Sequence, residues 1–172
     1  MEFEKINPNE ISKNPFDLIS KDWALVAAQK DGKVNALTAS WGGVGVLWNK
    51  NVVFIFIRNS RYTKEFLDSA DTFSLTFFNH EKYAETYKYF GSVSGRNEDK
   101  IAKQGLTVAS AENTPYFAEG KLAVICKKLS AMPFDPNNFT DSNLLPAFYG
   151  DNDMHVMYIG EIVSVLHNGA NE

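Results

Sequence analysis

"VNALTASWGGVGVLW", residues 34–48, carries no charged side chain in fifteen positions. Asn35, Thr38 and Ser40 stand among small apolar residues, and two Trp then bracket three Gly. A strand bound only for the core would carry larger aliphatic side chains, and a surface loop would carry charges. Small hydroxyls, room for close backbone approach and aromatic walls occur here together.

The surroundings read mainly as β-structure. Six short runs rich in Val, Ile, Phe and Thr are separated by polar or Gly-bearing turns: "WALVAAQ" (23–29), "NALTASW" (35–41), "NVVFIFIR" (51–58), "DTFSLTFF" (71–78), "KLAVICKKL" (121–129) and "HVMYIGEIVSVL" (155–166). Asp31-Gly32 marks a hairpin between the first two. Six such runs predict a closed or partly closed antiparallel barrel. Three helices are expected to flank it. "TKEFLDSA" (63–70) has Thr63 as its cap. "HEKYAETYKYF" (80–90) places Tyr83, Tyr87 and Phe90 at helical spacing, as a core or interface stripe. "NEDKIAKQG" (97–105) opens on a capping Asn97 and closes at Gly105. Residues 133–153 form an excursion between the last two strands, whose Phe and Leu side chains call for a packing surface such as a second subunit.

Composition limits the function classes. The 172 residues fit one domain, residues 1–172, able to bury a core without disulfides. No apolar run is long enough to cross a bilayer, and the first residues lack the basic and then apolar blocks of a signal peptide, so a cytoplasmic location away from membranes is expected. A net charge of −4 argues against a general nucleic-acid surface. The single cysteine, Cys126, sits in an apolar run and is expected to be a buried thiol. His80, His155 and His167 are scattered without ligand spacing, and no structural metal is expected.

The chemical signal lies at "RNSRYTK" (58–64). Arg58, Arg61 and Lys64 crowd the start of a helix, an end that its free N–H groups and dipole already make positive. Cations there, with the hydroxyls of Ser60 and Thr63, describe a phosphate site. The alternative is that the long side chains splay into solvent. The glycines fit neither common nucleotide loop: "WGGVGVLW" is not GxGxxG, and in "GSVSGRNEDK" Gly95 is followed by Arg rather than Lys. A phosphate here would belong to a ligand on a β-scaffold, with residues 34–48 as the platform for its ring.

"NALTASWGGVGVLWNKNVVFIFIRNSRYTKEFLDSADTFSLTFF", followed in order by "SGRNEDKIAKQGLTV", "TPYFAEGKLAVICKKL" and "DMHVMYIGEIVSVL", resembles the flavin reductase-like, FMN-binding split-barrel family, which includes the flavoredoxins. The resemblance runs from about residue 23 to 166. It implies a six-stranded antiparallel Greek-key split barrel with flanking helices, forming a homodimer with FMN near the interface. It places Asn35, Thr38, Ala39, Ser40 and Trp41 along the flavin ring and ribityl chain. Arg58, Ser60, Arg61 and Thr63 are placed at the phosphate, with Lys100, Ser94 and Arg96 also at the cofactor. His155 matches a His near the flavin, although "DNDM" precedes it where the family has "GD". Trp48 is expected in the core, and Thr38 and Ser40 have ordinary strand hydrogen bonding as the alternative. The implied activity is hydride transfer from NAD(P)H to flavin. The other reading is a flavoredoxin-type FMN electron carrier with a redox partner protein. Related split barrels that hold haem or serve pyridoxamine phosphate oxidation keep the barrel and change the ligand.

Overall fold

The computed structural model describes residues 3–169. Its elements, in chain order, are β1 (Glu4–Ile6), α1 (Pro15–Asp17), β2 (Ala24–Lys30), β3 (Lys33–Ala39), β4 (Gly42–Leu47), β5 (Lys50–Arg58), α2 (Tyr62–Ser69), β6 (Thr72–Phe77), α3 (His80–Ser92), α4 (Lys100–Lys103), β7 (Val108–Ala111), β8 (Thr114–Phe117), β9 (Leu122–Pro133), α5 (Leu144–Phe148) and β10 (His155–His167). The main sheet is antiparallel throughout, in the order β3-β2-β6-β9-β10-β5-β4, with β1 added along the end of β10. β7 and β8 form a separate hairpin.

β3 and β4 stand at opposite ends of that order, yet only Ser40 and Trp41 separate them in the chain. The sheet must therefore curl until its two edges meet, and residues 34–48 are the seam of the resulting split barrel. Among the described residues no ladder joins β3 to β4. Register shifts between β9 and β10, at Ile159/Gly160 and Ile162/Ser164, add the local twist that closure needs.

Gly42 makes the seam possible. It has φ +157°, and a Cβ built there would lie 2.5 Å from the Phe54 carbonyl oxygen of β5. No side chain can enter a backbone contact that close. Gly42→Ala is expected to destabilise the fold by more than about 1 kcal/mol, read as a lower urea midpoint. An unchanged midpoint would show that β4 can retreat from β5 freely.

Both faces of the strands near the site are covered, which explains their nearly continuous apolar sequences. On β2, Ala24, Val26 and Ala28 face the barrel interior with Leu37, Ile55, Phe73 and Val124. Leu25 and Ala27 face outward under α3, against Tyr87, Phe90 and Phe117. The aromatic stripe expected on α3 is this packing face, with Tyr87 and Phe90 fully buried and Tyr83 packed at the edge. Helix α2 closes the other side with Phe66 and Leu67. Full burial of each such side chain contributes about 1.5–3 kcal/mol. Cys126 is buried as expected, and burial raises its thiol pKa well above the ordinary value.

The six expected strands are all present, and four more accompany them: β1, β4, β7 and β8. Three hairpins turn on two residues with positive φ: Asp31-Gly32, Trp48-Asn49 and Glu112-Asn113. Trp48 is thus a turn residue, 57% exposed, and not a core residue. Two helix starts also differ from expectation. Helix α2 begins at Tyr62 with Arg61 at the cap position, so Thr63 lies inside the first turn. Helix α4 is capped by Asp99, whose Oδ1 accepts from the N–H groups of Ile101 and Ala102, and not by Asn97. It ends at Gly105 (φ +64°) in a Schellman arrangement, with Leu106 N–H donating to Ile101 O and Gly105 N–H to Ala102 O. Among the described residues no helix is long and apolar enough to cross a membrane.

Candidate functional site

The first turn of α2, the last turn of α3 and the loop after α3 enclose a pocket of about 110 Å³, lined by Asn35, Ser60, Arg61, Thr63, Ser94 and Lys100 among others. No Asp or Glu lines it. Arg61 reaches across to the end of α3, donating to Gly91 O (2.7 Å) and Phe90 O (2.9 Å). Lys100, only 3% exposed, donates to Ala36 O (2.7 Å) and shares Phe90 O (3.4 Å). The terminal carbonyls and negative dipole end of α3 explain why two cations settle there. Among the described residues neither forms an ion pair with a carboxylate. Burial lowers the Arg61 pKa, and Asp153 opposes the change. Burial, reinforced by the Arg61 charge, brings Lys100 down to about 8. Two cations held against each other and hydrogen-bonded to main-chain carbonyls make an electropositive cup, which the nearby Asp153 offsets in part.

The cup is also shaped for close contact. The Asn35 amide donates to Thr63 Oγ1 (2.9 Å), tying β3 to α2. The loop after α3 lies directly on Asn35, where a Cβ on Gly95 would come within 2.2 Å of Asn35 Oδ1. A side chain at 95 would have to push the Asn35 amide away from Thr63. Ser94 Oγ accepts from Arg96 N (3.2 Å). The Arg96 guanidinium lies over the Tyr62 ring and pairs with Glu65, so it bridges the loop to α2. A larger pocket, about 610 Å³, opens beside the cup and shares Asn35, Tyr62, Gly95 and Lys100 with it. Glu98 and Asp99 also line the larger pocket, whereas the basic cup itself suits the phosphate end of a small molecule.

The other expected residues form a second cluster at the barrel seam. Arg58 and His155 are register partners on β5 and β10. Arg58 donates to Phe148 O (2.8 Å) and Asp153 O (3.0 Å), and its guanidinium lies over Tyr149. It anchors the excursion and is not in the cup lining. His155, 6% exposed, is bonded through Nδ1 to Tyr149 Oη (2.8 Å) and lies against the Trp41 ring at 5.4 Å. Burial and Arg58 lower its pKa, with Asp153 opposing, so the ring is neutral at pH 7. Thr38 donates to Tyr87 O (2.6 Å), and Ala39 packs against the interior core. Ser40 and Trp41 border a third pocket beside Phe16. Lys64 pairs with Asp68 down its own helix, away from the cation cluster expected of it.

Asn35, Ser60, Arg61, Thr63, Ser94 and Lys100 are therefore brought together, with Arg96 at the rim. Arg58, Trp41 and His155 are brought to a different place. Sequence reasoning missed Tyr149 and Asp153, both in the excursion. The sequence signal for Asp153 was the acidic "DNDM" just before His155, and Tyr149 was marked only by the aromatic content of residues 133–153.

Comparison with known proteins agrees with this fold. The sequence profile described as the flavin reductase like domain matches residues 16–172. A search of curated protein sequences finds no match. Among solved structures, the chain is similar to a flavoredoxin from Methanosarcina acetivorans, with TM-score 0.68 and 23% identity over 98% of this chain and 77% of that one. It is likewise similar to the flavoredoxin of Desulfovibrio vulgaris (Miyazaki F), with TM-score 0.68 and 21% identity over 96% and 78% of the two chains. An FMN-binding domain of a flavin reductases-like enzyme from Shewanella baltica OS155 aligns with TM-score 0.69 and 14% identity over 97% and 78%. At these identities the structures speak for the fold alone. The profile spans nearly the whole sequence, from the helix before β2 through β10, and on that ground the chain belongs to the flavin reductase-like domain family.

Proposed function

We propose that this protein binds FMN and passes hydride from NAD(P)H to the flavin. The observation that carries the reading is a pair of cations, the half-buried Arg61 and the buried Lys100, facing a cup without a carboxylate in its lining. Ser60, Arg61, Thr63, Ser94 and Lys100 would hold the phosphate. Asn35, with Ala39, Ser40 and Trp41 farther along the strand and seam, would hold the ribityl chain and ring. Bound FMN supplies the hydride acceptor, its N5, while the protein supplies binding, orientation and electrostatics. The chain's part is to position and to exclude water. Trp41, Tyr149 and Phe134 surround the His155 imidazole, which is neutral and oriented by the Tyr149 hydroxyl. No nucleophile is needed. His155→Asn is expected to lower NAD(P)H turnover severalfold while FMN affinity holds; equal turnover would remove His155 from the reaction.

A second reading is an electron carrier that takes electrons from a partner protein rather than from nicotinamide. The cover of Tyr149 and Trp41 over His155 favours it, because the residue assigned to nicotinamide is sealed. Anaerobic mixing separates the two: NADH or NADPH bleaches the flavin band of an enzyme, and only a reduced protein partner bleaches that of a carrier. We propose a cytoplasmic homodimer in either case. Val44 and Val46 share one exposed face of β4, near exposed Trp41, Trp48 and Phe16, and such a patch calls for a partner surface.

A further inference from the structure

The excursion does more than cover the seam, for its last residues are tied to the turn that builds the cup. Asn59 N–H donates to Met154 O (3.1 Å), and Arg58 donates to Phe148 O and Asp153 O. Asp153 itself takes both donors of Ser60: N–H to Oδ1 at 3.0 Å and Oγ–H to Oδ2 at 2.6 Å. A main-chain N–H and a hydroxyl converging on two oxygens of one anion is how a loop holds a phosphate. Ser60 lines the cup, and its neighbour Arg61 feels the Asp153 charge.

We propose that Asp153 is an internal competitor for the ligand's phosphate. It holds Ser60 in the way a phosphate oxygen would, and it must withdraw when a dianion enters, because two anions cannot share those donors. Its withdrawal loosens the segment that carries Phe148 and Tyr149, so that filling the cup uncovers His155. Phosphate binding and access to the seam become one linked event, and the excursion acts as a cover displaced by the ligand. This rests on the reading that the cup takes a phosphate group.

Asp153→Asn tests it, since the amide keeps Oδ1 as an acceptor for Ser60 N–H, replaces the second oxygen with an NH2 that can donate to Ser60 Oγ, and removes the charge. At low salt the variant is expected to bind both FMN and inorganic phosphate about tenfold more tightly than wild type, the scale of one opposing charge a few ångströms away. Riboflavin, which lacks the phosphate, should bind both proteins alike, and the gain should shrink in concentrated salt. In wild type, inorganic phosphate should shift the amide resonances of Ser60 and Tyr149 together. Unchanged or weaker phosphate binding by a variant that melts as wild type does would overturn the proposal and make Asp153 a plain latch. A wrong flavin assignment looks different: neither protein would bind FMN, while inorganic phosphate would still distinguish them.

Discussion

Arg61→Ala should weaken FMN binding by about 1.5–3 kcal/mol, roughly ten- to 150-fold, the range for a hydrogen bond to a charged group. Arg61 has two tasks at one place. It supplies charge to the cup, and it satisfies the Phe90 and Gly91 carbonyls that α3 leaves open at its end. The alanine variant is therefore expected to lose some stability as well. Riboflavin keeps the ring and lacks the phosphate, so it separates the two effects. Its affinity should change little if the cup holds a phosphate, and should fall in step with FMN if Arg61 merely supports the fold. Arg61→Lys is expected to recover only part of the loss. An ammonium restores the charge but not the fork that spans both carbonyls.

The second large effect is a dependence of stability on pH that arises from Lys100. Its folded pKa is about 8 and its unfolded value is 10.5. Between them the unfolded chain binds more protons than the folded one, so stability rises as pH rises through that window. The Lys100 contribution should be about 2 kcal/mol from pH 8 to pH 10, read as the difference between wild type and Lys100→Met. The trend should reverse at about pH 9, because burial keeps the Cys126 thiol, and then the Tyr87 and Tyr158 hydroxyls, protonated in the folded state. Denaturant unfolding at closely spaced pH values should thus show a maximum at about pH 9. Lys100→Met should abolish the rise. The ligand reverses the sign. A phosphate beside Lys100 favours the ammonium, so FMN affinity should fall above pH 8, and binding in that range should take up close to one proton. Parallel pH profiles for wild type and Lys100→Met would mean that Lys100 is not held in a desolvated, cation-crowded place.

The barrel was legible because its strands are written in the sequence as dense runs of β-branched and aromatic residues. β4 was not, because Gly42, Gly43 and Gly45 have no side chains with which to announce a strand. They serve the seam through what they lack. Trp48 was misread for a related reason: its size suggests burial, but a two-residue hairpin loop forces it outward.

At the site, "RNSRYTK" correctly signalled an accumulation of charge but not its destination. Lys64 turned to Asp68, and Arg58 turned to the excursion. Only Arg61 remained at the cup. The second cation, Lys100, lies some forty positions away in sequence, and only packing of the loop after α3 brings it to the Phe90 carbonyl. Local sequence carries no trace of that meeting. The family resemblance placed Lys100 at the cofactor, and the geometry supplies a physical reason for its presence.

The most direct measurement is a parallel titration of the purified protein with FMN and with riboflavin, followed by quenching of flavin fluorescence. A cup built around Arg61 and Lys100 requires FMN to bind at least ten times more tightly than riboflavin, with the preference lost in Arg61→Ala. Equal affinity for the two flavins, or no quenching by either, would contradict it.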